Sequence, residues 1–580
     1  MSHMRLTTLA LVALLSLAAC GKSEDPPAAT SDTASNELLA YVPADTPYLF
    51  ANLEPVPDEI IDTYLARLQP VLDSMQTQLS VGRAEMESTE GDNGEDPGAR
   101  LAHALLLELD GNLNRSGLES MGFDLQAEKV VYGIGAFPVI RLGLSDSAAL
   151  RATILRVLNN GGVTAPEQDF QGISYWRISD GITAEEPAGL YISILEDHLA
   201  ISVFPPMAEP EFLPAFLGLE MPARSDAQTR LAQLNSTHEY TPYGSGILDL
   251  HRLADQFVSP DTVTARFMTA TGAFDPAMLS PACTDEIHAI IDNTPLMTMG
   301  VKELTPKTVA LQYRVETPKT LAGQLMGLVS KIPVADEISN RILEFAFGMR
   351  FGPVRDFLRE KVTAIVDDPY QCEHLRDLNE SAVQALVQLN EPMPPFVNNF
   401  SGLRVSLNEI MMNQDSIPEN ARGHLAVHVD KPEMFIGMAQ MFLPDLSNLA
   451  ITPGDPPVRL PESLVPVPGI AAFAAMSSDA IGLAVGEQEE AGLPEFLNRD
   501  AGPEGIFLSA GYDMAAYLDY TGKLDTQHQV PGNENNPHSQ AATEIRNAAN
   551  TAFREMADRS YTTLRFTADG FVADNRMTFK

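Results

Sequence analysis

The chain has 580 residues, 44% hydrophobic and 20% charged, which is ordinary globular material and long enough for two or more domains. Acidic residues outnumber basic ones by 78 to 38, giving a formal net charge of −40. Such a surface repels phosphate backbones, so nucleic acid is disfavoured as a partner, and no apolar stretch beyond the N-terminal segment is long enough to span a bilayer.

In chain order, Arg5 supplies a short positive region and "LTTLALVALLSLAA" (Leu6–Ala19) an apolar one of signal-peptide length. The next residue is Cys20. Leu17-Ala18-Ala19-Cys20 resembles the lipobox of bacterial lipoproteins. The resemblance implies that residues 1–19 are removed, that the Cys20 thiol is diacylated and that the new amino terminus is acylated too. Two or more acyl chains anchor a protein stably where one does not. An ordinary secretory signal with a chance cysteine is the alternative. Residues 20–36 carry almost no large apolar side chain and read as a flexible tether. Gly21, rather than Asp, follows the cysteine; by resemblance to enterobacterial sorting this points to the outer membrane, facing the periplasm.

The body reads as α+β. "LLAYVPADTPYLFANLEPVP" (Leu38–Pro57) opens it, and "EMESTEGDNGEDPGAR" (Glu85–Arg100) is an acidic insert that lacks the order of a calcium loop. "VIRLGLSDSAALRATILRVL" (Val139–Leu158) alternates as a strand into Asp146 and then an amphipathic helix, which the aspartate can cap. Trp176 lies on an alternating strand, where core packing is expected. "LYISILEDHLAISV" (Leu190–Val203) reads as strand, turn and strand with Asp197 in the turn, followed by "PEFLPAFL". "GILDLHRLADQF" (Gly246–Phe257) and the hairpin "MTMGVKELTPKTVALQYRV" (Met297–Val315) close this half.

The second half matches piece by piece. "HLAVHVDKPEMFIGMAQMFL" (His424–Leu443) answers the strand–helix unit, with Asp430 expected as the cap. "AFAAMSSDAIGLAV" (Ala472–Val485) aligns without gaps to the first hairpin, Asp479 on Asp197, and "PEFLN" follows. "SAGYDMAAYLDY" sets Asp513 on Asp249, and "YTTLRFTADGFVADNRMTF" (Tyr561–Phe579) aligns at the same shift to the closing hairpin. "DTQHQVPGNENNPHSQ" (Asp525–Gln540) reads as a polar surface loop. The expectation is therefore two tandem related copies, 37–316 and 317–580, each a largely antiparallel sheet with helices packed on one face. The opening "VPADT" stretch, with "GFDLQAEKVVYGIGAFPVIRLGLSD" and "DFQGISYW", resembles a bacterial family of exported proteins of unknown function, which carries over no catalytic residue.

Cys283 and Cys372 are the remaining cysteines, and in an oxidising compartment they form a disulfide or stay as buried thiols. Cys372-Glu373-His374 has no second cluster to complete a metal site. His424 and His428 alternate on a strand, which sets them roughly 13 Å apart, too far to share an ion. "TPYGSGILD" has Tyr243 where a nucleophile elbow needs glycine, and Asp249-x-His251 sits at a helix start, where capping explains the aspartate. No catalytic, metal or cofactor residue is assigned. The reading is a binding or scaffold module, anchored to the membrane by lipid and meeting an envelope protein partner. Its alternatives are an envelope hydrolase with a dispersed active site and a carrier of apolar ligands in a cleft between the copies. The 23 methionines, clustered at Met411-Met412 and along "MFIGMAQMFL", suit the carrier or a plain core.

Overall fold

A computed structural model describes residues 36–70, 72–73, 97–162, 165–178, 188–272, 274–412, 418–442, 444–446, 449–465, 469–518, 550–551 and 554–580. These divide into two compact units, the first within 1–280, 295–312 and 530–556, the second within 281–294, 313–529 and 557–580. The division at Gln312/Tyr313 falls four residues before the expected copy boundary. Residues 281–294, expected in the first copy, count instead with the second unit.

The first unit begins at Asn36. That residue was expected to end the tether, yet it is 3% exposed and its side chain donates to the Asn52 carbonyl at 2.8 Å. The "VPADT" stretch is a turn, and β1 (Tyr48–Ala51) starts only after it. Thr46 is the reason. Its buried hydroxyl donates to the Gly133 carbonyl and accepts from the Gly133 amide, so this backbone bonds through a side chain. Helical residues 58–70 and α1 (Pro97–Leu109) precede β2 (Lys129–Ile134) and β3 (Phe137–Gly143). The end of the acidic insert, 97–100, is thus already helix, while 85–96 lie outside the described residues. α2 (Ser147–Asn160), β4 (Gln168–Phe170), β5 (Ile173–Ile178), β6 (Gly189–Ile194) and β7 (His198–Phe204) follow. Then come α3 (Glu209–Phe216), α4 (Ala227–His238), β8 (Ser245–Asp249), α5 (Leu250–Val258), and the hairpin β9 (Leu296–Thr305) with β10 (Thr308–Glu316). Every pairing is antiparallel, in the order β4-β5-β6-β7-β3-β2-β1-β8-β9.

In the second unit α6 (Pro281–Ile291) precedes β11 (Leu343–Phe347), and a helical hairpin of α7 (Phe351–Asp367) and α8 (Arg376–Leu389) leads to β12 (Phe400–Met412) and β13 (Pro418–Val429). α9 (Pro432–Phe442), β14 (Val458–Arg459), β15 (Ala472–Met476), β16 (Ala480–Val485), α10 (Leu493–Leu497) and β17 (Ile506–Asp513) come next. β18 (Ala557–Thr567) and β19 (Gly570–Phe579) close the chain. The antiparallel order is β14-β15-β16-β13-β12-β11-β17-β18-β19.

Local rules explain much of this. The gap-free alignment of the first hairpins holds in register: Ile194 faces Leu199 as Met476 faces Ile481. The turn aspartates receive matching backbone bonds, the Leu144 amide donating to the Asp197 carbonyl and the Val429 amide to that of Asp479, both at 2.9 Å. Asp146, Asp249 and Asp513 each accept from the amide three residues on, at 2.9, 3.0 and 2.8 Å, which caps an orphaned helix donor. Asp249→Ala is expected to cost about 1 kcal/mol in a denaturant melt; no change in midpoint would discount the cap.

Three expectations need correction. Asp430 stands two residues before the start of α9, outside the cap position; the first carbonyl to accept, from the Phe435 amide, belongs to Lys431. The closing hairpins match at a shift two residues smaller than expected, because their turns fall at Pro306-Lys307 and Ala568-Asp569. An even slip keeps the same side chains inward. Finally, helices do not keep to one face. Phe496 and Leu497 of α10 pack on Phe473 and Ala475, while Ile436 of α9 packs beside Ala474 and Met476, so β15 is buried on both sides. Its small residues permit this, as does Gly482, where a Cβ would come within 2.7 Å of Leu497.

The largest core lies in the first unit, where Leu49, Val130, Tyr132, Val139, Tyr191 and Phe204 meet Phe212 and Phe216 of α3 and Leu231 of α4. Gly246 on β8 lies flat under Phe50, whose ring a Cβ would meet at 1.8 Å. No described helix is long and apolar enough to cross a membrane.

Candidate functional site

Arginine on the inward phase of an apolar strand is costly unless its donors are engaged. β3 carries one, Arg141, at 0% exposure. Its Nε donates to the Tyr132 hydroxyl at 3.1 Å and its Nη2 to the Phe216 carbonyl of α3 at 2.8 Å, and the guanidinium lies 3.9 Å from the centre of the Tyr41 ring. Its Nη1 is 2.7 Å from His198 Nε2. Guanidinium only donates, so Nε2 must accept, and the ring proton sits on Nδ1. That nitrogen is 2.6 Å from Asp197 Oδ1, on a side chain 73% exposed. Burial holds the His198 pKa below the ordinary imidazole value; Asp197 opposes the shift and Arg141 adds to it. The imidazole is therefore neutral at pH 7, with its basic lone pair occupied by a cation.

The second unit holds the same residue types on different strands, with the arginine acting on the histidine through its charge rather than through a hydrogen bond. Arg404 of β12, 2% exposed, donates to the Phe496 carbonyl of α10 at 2.8 Å and lies 4.2 Å from the centre of the Phe496 ring. Burial, and then the charge of Arg499, pull its pKa down to about 10, so it stays charged at pH 7. His428 of β13 is 1% exposed. Its Nδ1 is 3.5 Å from Asp479 Oδ2, too long for a well-formed hydrogen bond, and neither ring nitrogen has a hydrogen-bond partner among the described residues. Burial pushes its pKa down to about 4, with Asp479 opposing and Arg404 reinforcing.

Strand register relates the two sets. Arg141 faces Val130 and Ala200, and His198 faces Gly143. Arg404 faces Ala346 and Ala426, and His428 faces Gly402 and Ala480. In both units the histidine thus sits one strand over and one inward position along from the arginine. The pair is on β3 and β7 in one unit and on β12 and β13 in the other, while the aspartate keeps its place in the turn.

A further polar row lies beside Arg404. His424 Nε2 is 2.9 Å from the Glu489 carbonyl, and its ring stacks on Phe496. Glu344, 3% exposed, accepts from Arg341 at 2.8 Å. His424 and His428 lie on one strand as expected, with Ala426 between them.

The other sequence candidates settle into structural roles. Cys283 and Cys372 are joined as a disulfide with Cα atoms 4.5 Å apart, which leaves Cys372 no thiolate to offer a metal beside His374. Glu286 accepts from the Gln371 and Cys372 amides at 2.7 and 2.9 Å, beside the bond. Asp249 caps α5 and pairs with Arg252 at 3.1 Å, and Gly244 leads straight into β8. Trp176 is fully buried. Cys20, the acidic residues 85–96 and the loop 525–540 lie outside the described residues. Among the described residues no three His, Cys, Asp or Glu side chains are grouped to hold a metal ion.

α7 and α8 frame an open groove of about 340 Å³ lined by Phe351, Val354, Leu358, Leu389 and Met393, with Arg355 at its wall. Leu358, Val383 and Val387 on these helices are 45%, 53% and 64% exposed, and Met441 of α9 is 73% exposed. The sequence search missed Arg141, His198 and Arg404. A basic residue on the inward phase of "VIRLG" and "GLRVS" was the available signal. No family model, no curated protein and no solved structure matches the chain.

Proposed function

We propose that the chain is a lipoprotein of the bacterial envelope, moored at Cys20 and facing the periplasm at the outer membrane, whose body binds or scaffolds a partner protein. The Leu17–Cys20 stretch supports the mooring. The observation that carries the binding reading is the open apolar groove between α7 and α8, lined by Phe351, Val354, Leu358, Leu389 and Met393. It can receive an apolar side chain of such a partner.

The reading extends to the body's origin as two copies of one unit. Its support is the common sequence of strand, helical hairpin, two strands, helix, edge strand, hairpin, helix, strand, helix and hairpin, with β4 extra in the first unit, together with the matching strand orders β5-β6-β7-β3-β2-β1-β8-β9 and β14-β15-β16-β13-β12-β11-β17-β18.

Two measurements test the proposal. Cys20→Ser should abolish palmitate labelling in cells; labelling that persists would refute the anchor. In-cell crosslinking should capture a defined partner with the native chain and lose it with Leu358→Asp/Leu389→Asp. Equal capture by that variant would move the partner off the groove. Turnover of envelope ester or amide substrates by purified protein would overturn the binding reading itself.

A further inference from the structure

We propose that the two buried arginine–histidine pairs are acid-sensitive clasps, each holding a covering helix on its sheet through the arginine and releasing it when the imidazole gains a proton. In the first unit the clasped helix is α3, held where Arg141 donates to the Phe216 carbonyl; in the second it is α10, held where Arg404 donates to that of Phe496.

The geometry supplies the trigger. Neutral His198 offers Nε2 as an acceptor to Arg141 at 2.7 Å. A proton on that atom removes the acceptor and sets a second cation against a guanidinium that cannot give up its own charge, with both groups buried. One of them must move. Arg141 is the hub that also binds Tyr132, the Tyr41 ring and the end of α3, so its displacement loosens all three.

The charged and titratable groups facing His198 are Arg141 from β3 and Asp197 from the β6–β7 turn. Tyr41, whose ring centre is 5.2 Å away, comes from the N-terminal turn, and Tyr132 of β2 acts through Arg141. Glu128 interacts in turn with Asp197. Those facing His428 are Asp479 from the β15–β16 turn and Arg404 from β12, itself influenced by Arg499, Glu344 and Arg341. In both units the carboxylate close to the ring, among the described residues, is a solvated one at the surface, too well hydrated to neutralise the new charge fully.

Recurrence distinguishes a device from an accident of packing. The arginine and histidine are carried by different strands in the two units, yet each set keeps the same diagonal spacing, the same turn aspartate and the same type of helix carbonyl as its target.

The test is hydrogen–deuterium exchange of the full mature chain between pH 7.5 and 5.0, corrected for the intrinsic pH dependence of exchange. Peptides covering α3 and α10 should open up to about tenfold more per pH unit for each histidine involved. His198→Gln keeps an acceptor for Arg141 and a donor for Asp197 but cannot titrate. It should flatten the acid response of α3 and leave that of α10, and His428→Gln should do the reverse. Responses that persist unchanged in both variants, or helices as protected at pH 5.0 as at pH 7.5, would overturn the clasp. If either variant fails to fold, C2–H exchange of the native histidines reads their pKa values directly. Values below the ordinary imidazole range support the clasp, and ordinary values for both would refute it.

Discussion

Arg141→Ala is expected to cost the first unit about 3–5 kcal/mol, the range for breaking a buried charged cluster by removing one partner. The side chain is fully enclosed and serves three acceptors: the Phe216 carbonyl, the Tyr132 hydroxyl and His198 Nε2. Truncation strands all of them in the core and leaves a void beneath Tyr41. Arg141→Met fills most of the space and should cost less. Arg141→Met/His198→Phe, which removes both halves of the contact, should cost less than the two single changes added together. Urea midpoints of the set decide this; strict additivity would mean that the two side chains do not act as a pair.

Opening the Cys283–Cys372 bond should lower the stability of the second unit by about 4 kcal/mol, since the bond joins residues 89 apart and a closed loop of that length restricts the unfolded chain strongly. Cys283→Ser/Cys372→Ser, or reduction of the native protein, should shift the unfolding of this unit and leave the first unit in place. Equal thermal midpoints with and without reductant would refute the contribution. The bond fixes α6 to the loop ahead of α8. The helical hairpin depends on such a staple: among its described side chains no residue of α7 is buried, and in α8 only Ala382 is.

Much of the framework was legible where local rules dominate. The Leu190–Val203 hairpin and its counterpart were readable because a tight turn with an aspartate fixes register over a short span. The caps at Asp146, Asp249 and Asp513 follow from helix ends that lack backbone partners. Asp430 failed because a lysine main chain can start a helix without a side-chain cap, so the nearest aspartate is not always the first residue. The closing hairpins were placed two residues out because alternation is blind to an even slip. The burial of β15 on both faces could not be seen in "AFAAM", where alanine is compatible with either environment.

The arginine–histidine pairs escaped for a deeper reason. Aligning the two halves sets Arg141 against Ala426 and His198 against Ala480, so neither the arginine nor the histidine keeps its position. What persists is a relation across neighbouring strands, which exists only once the sheet is assembled. His428 shows the energetic side of this. With a folded pKa of about 4 against an ordinary 6.5, the unfolded chain binds the extra proton first as pH falls. Stability from this site is therefore complete above pH 6.5 and declines toward pH 4.

The Glu286 carboxylate bears on how the second unit reaches its oxidised form. By gripping the main-chain amides of Gln371 and Cys372 from the helix that carries Cys283, it acts as a template. The thiols of a newly made chain meet at a high effective molarity before any oxidant arrives. Glu286→Ala should consequently slow the first round of oxidation more than it weakens the finished protein.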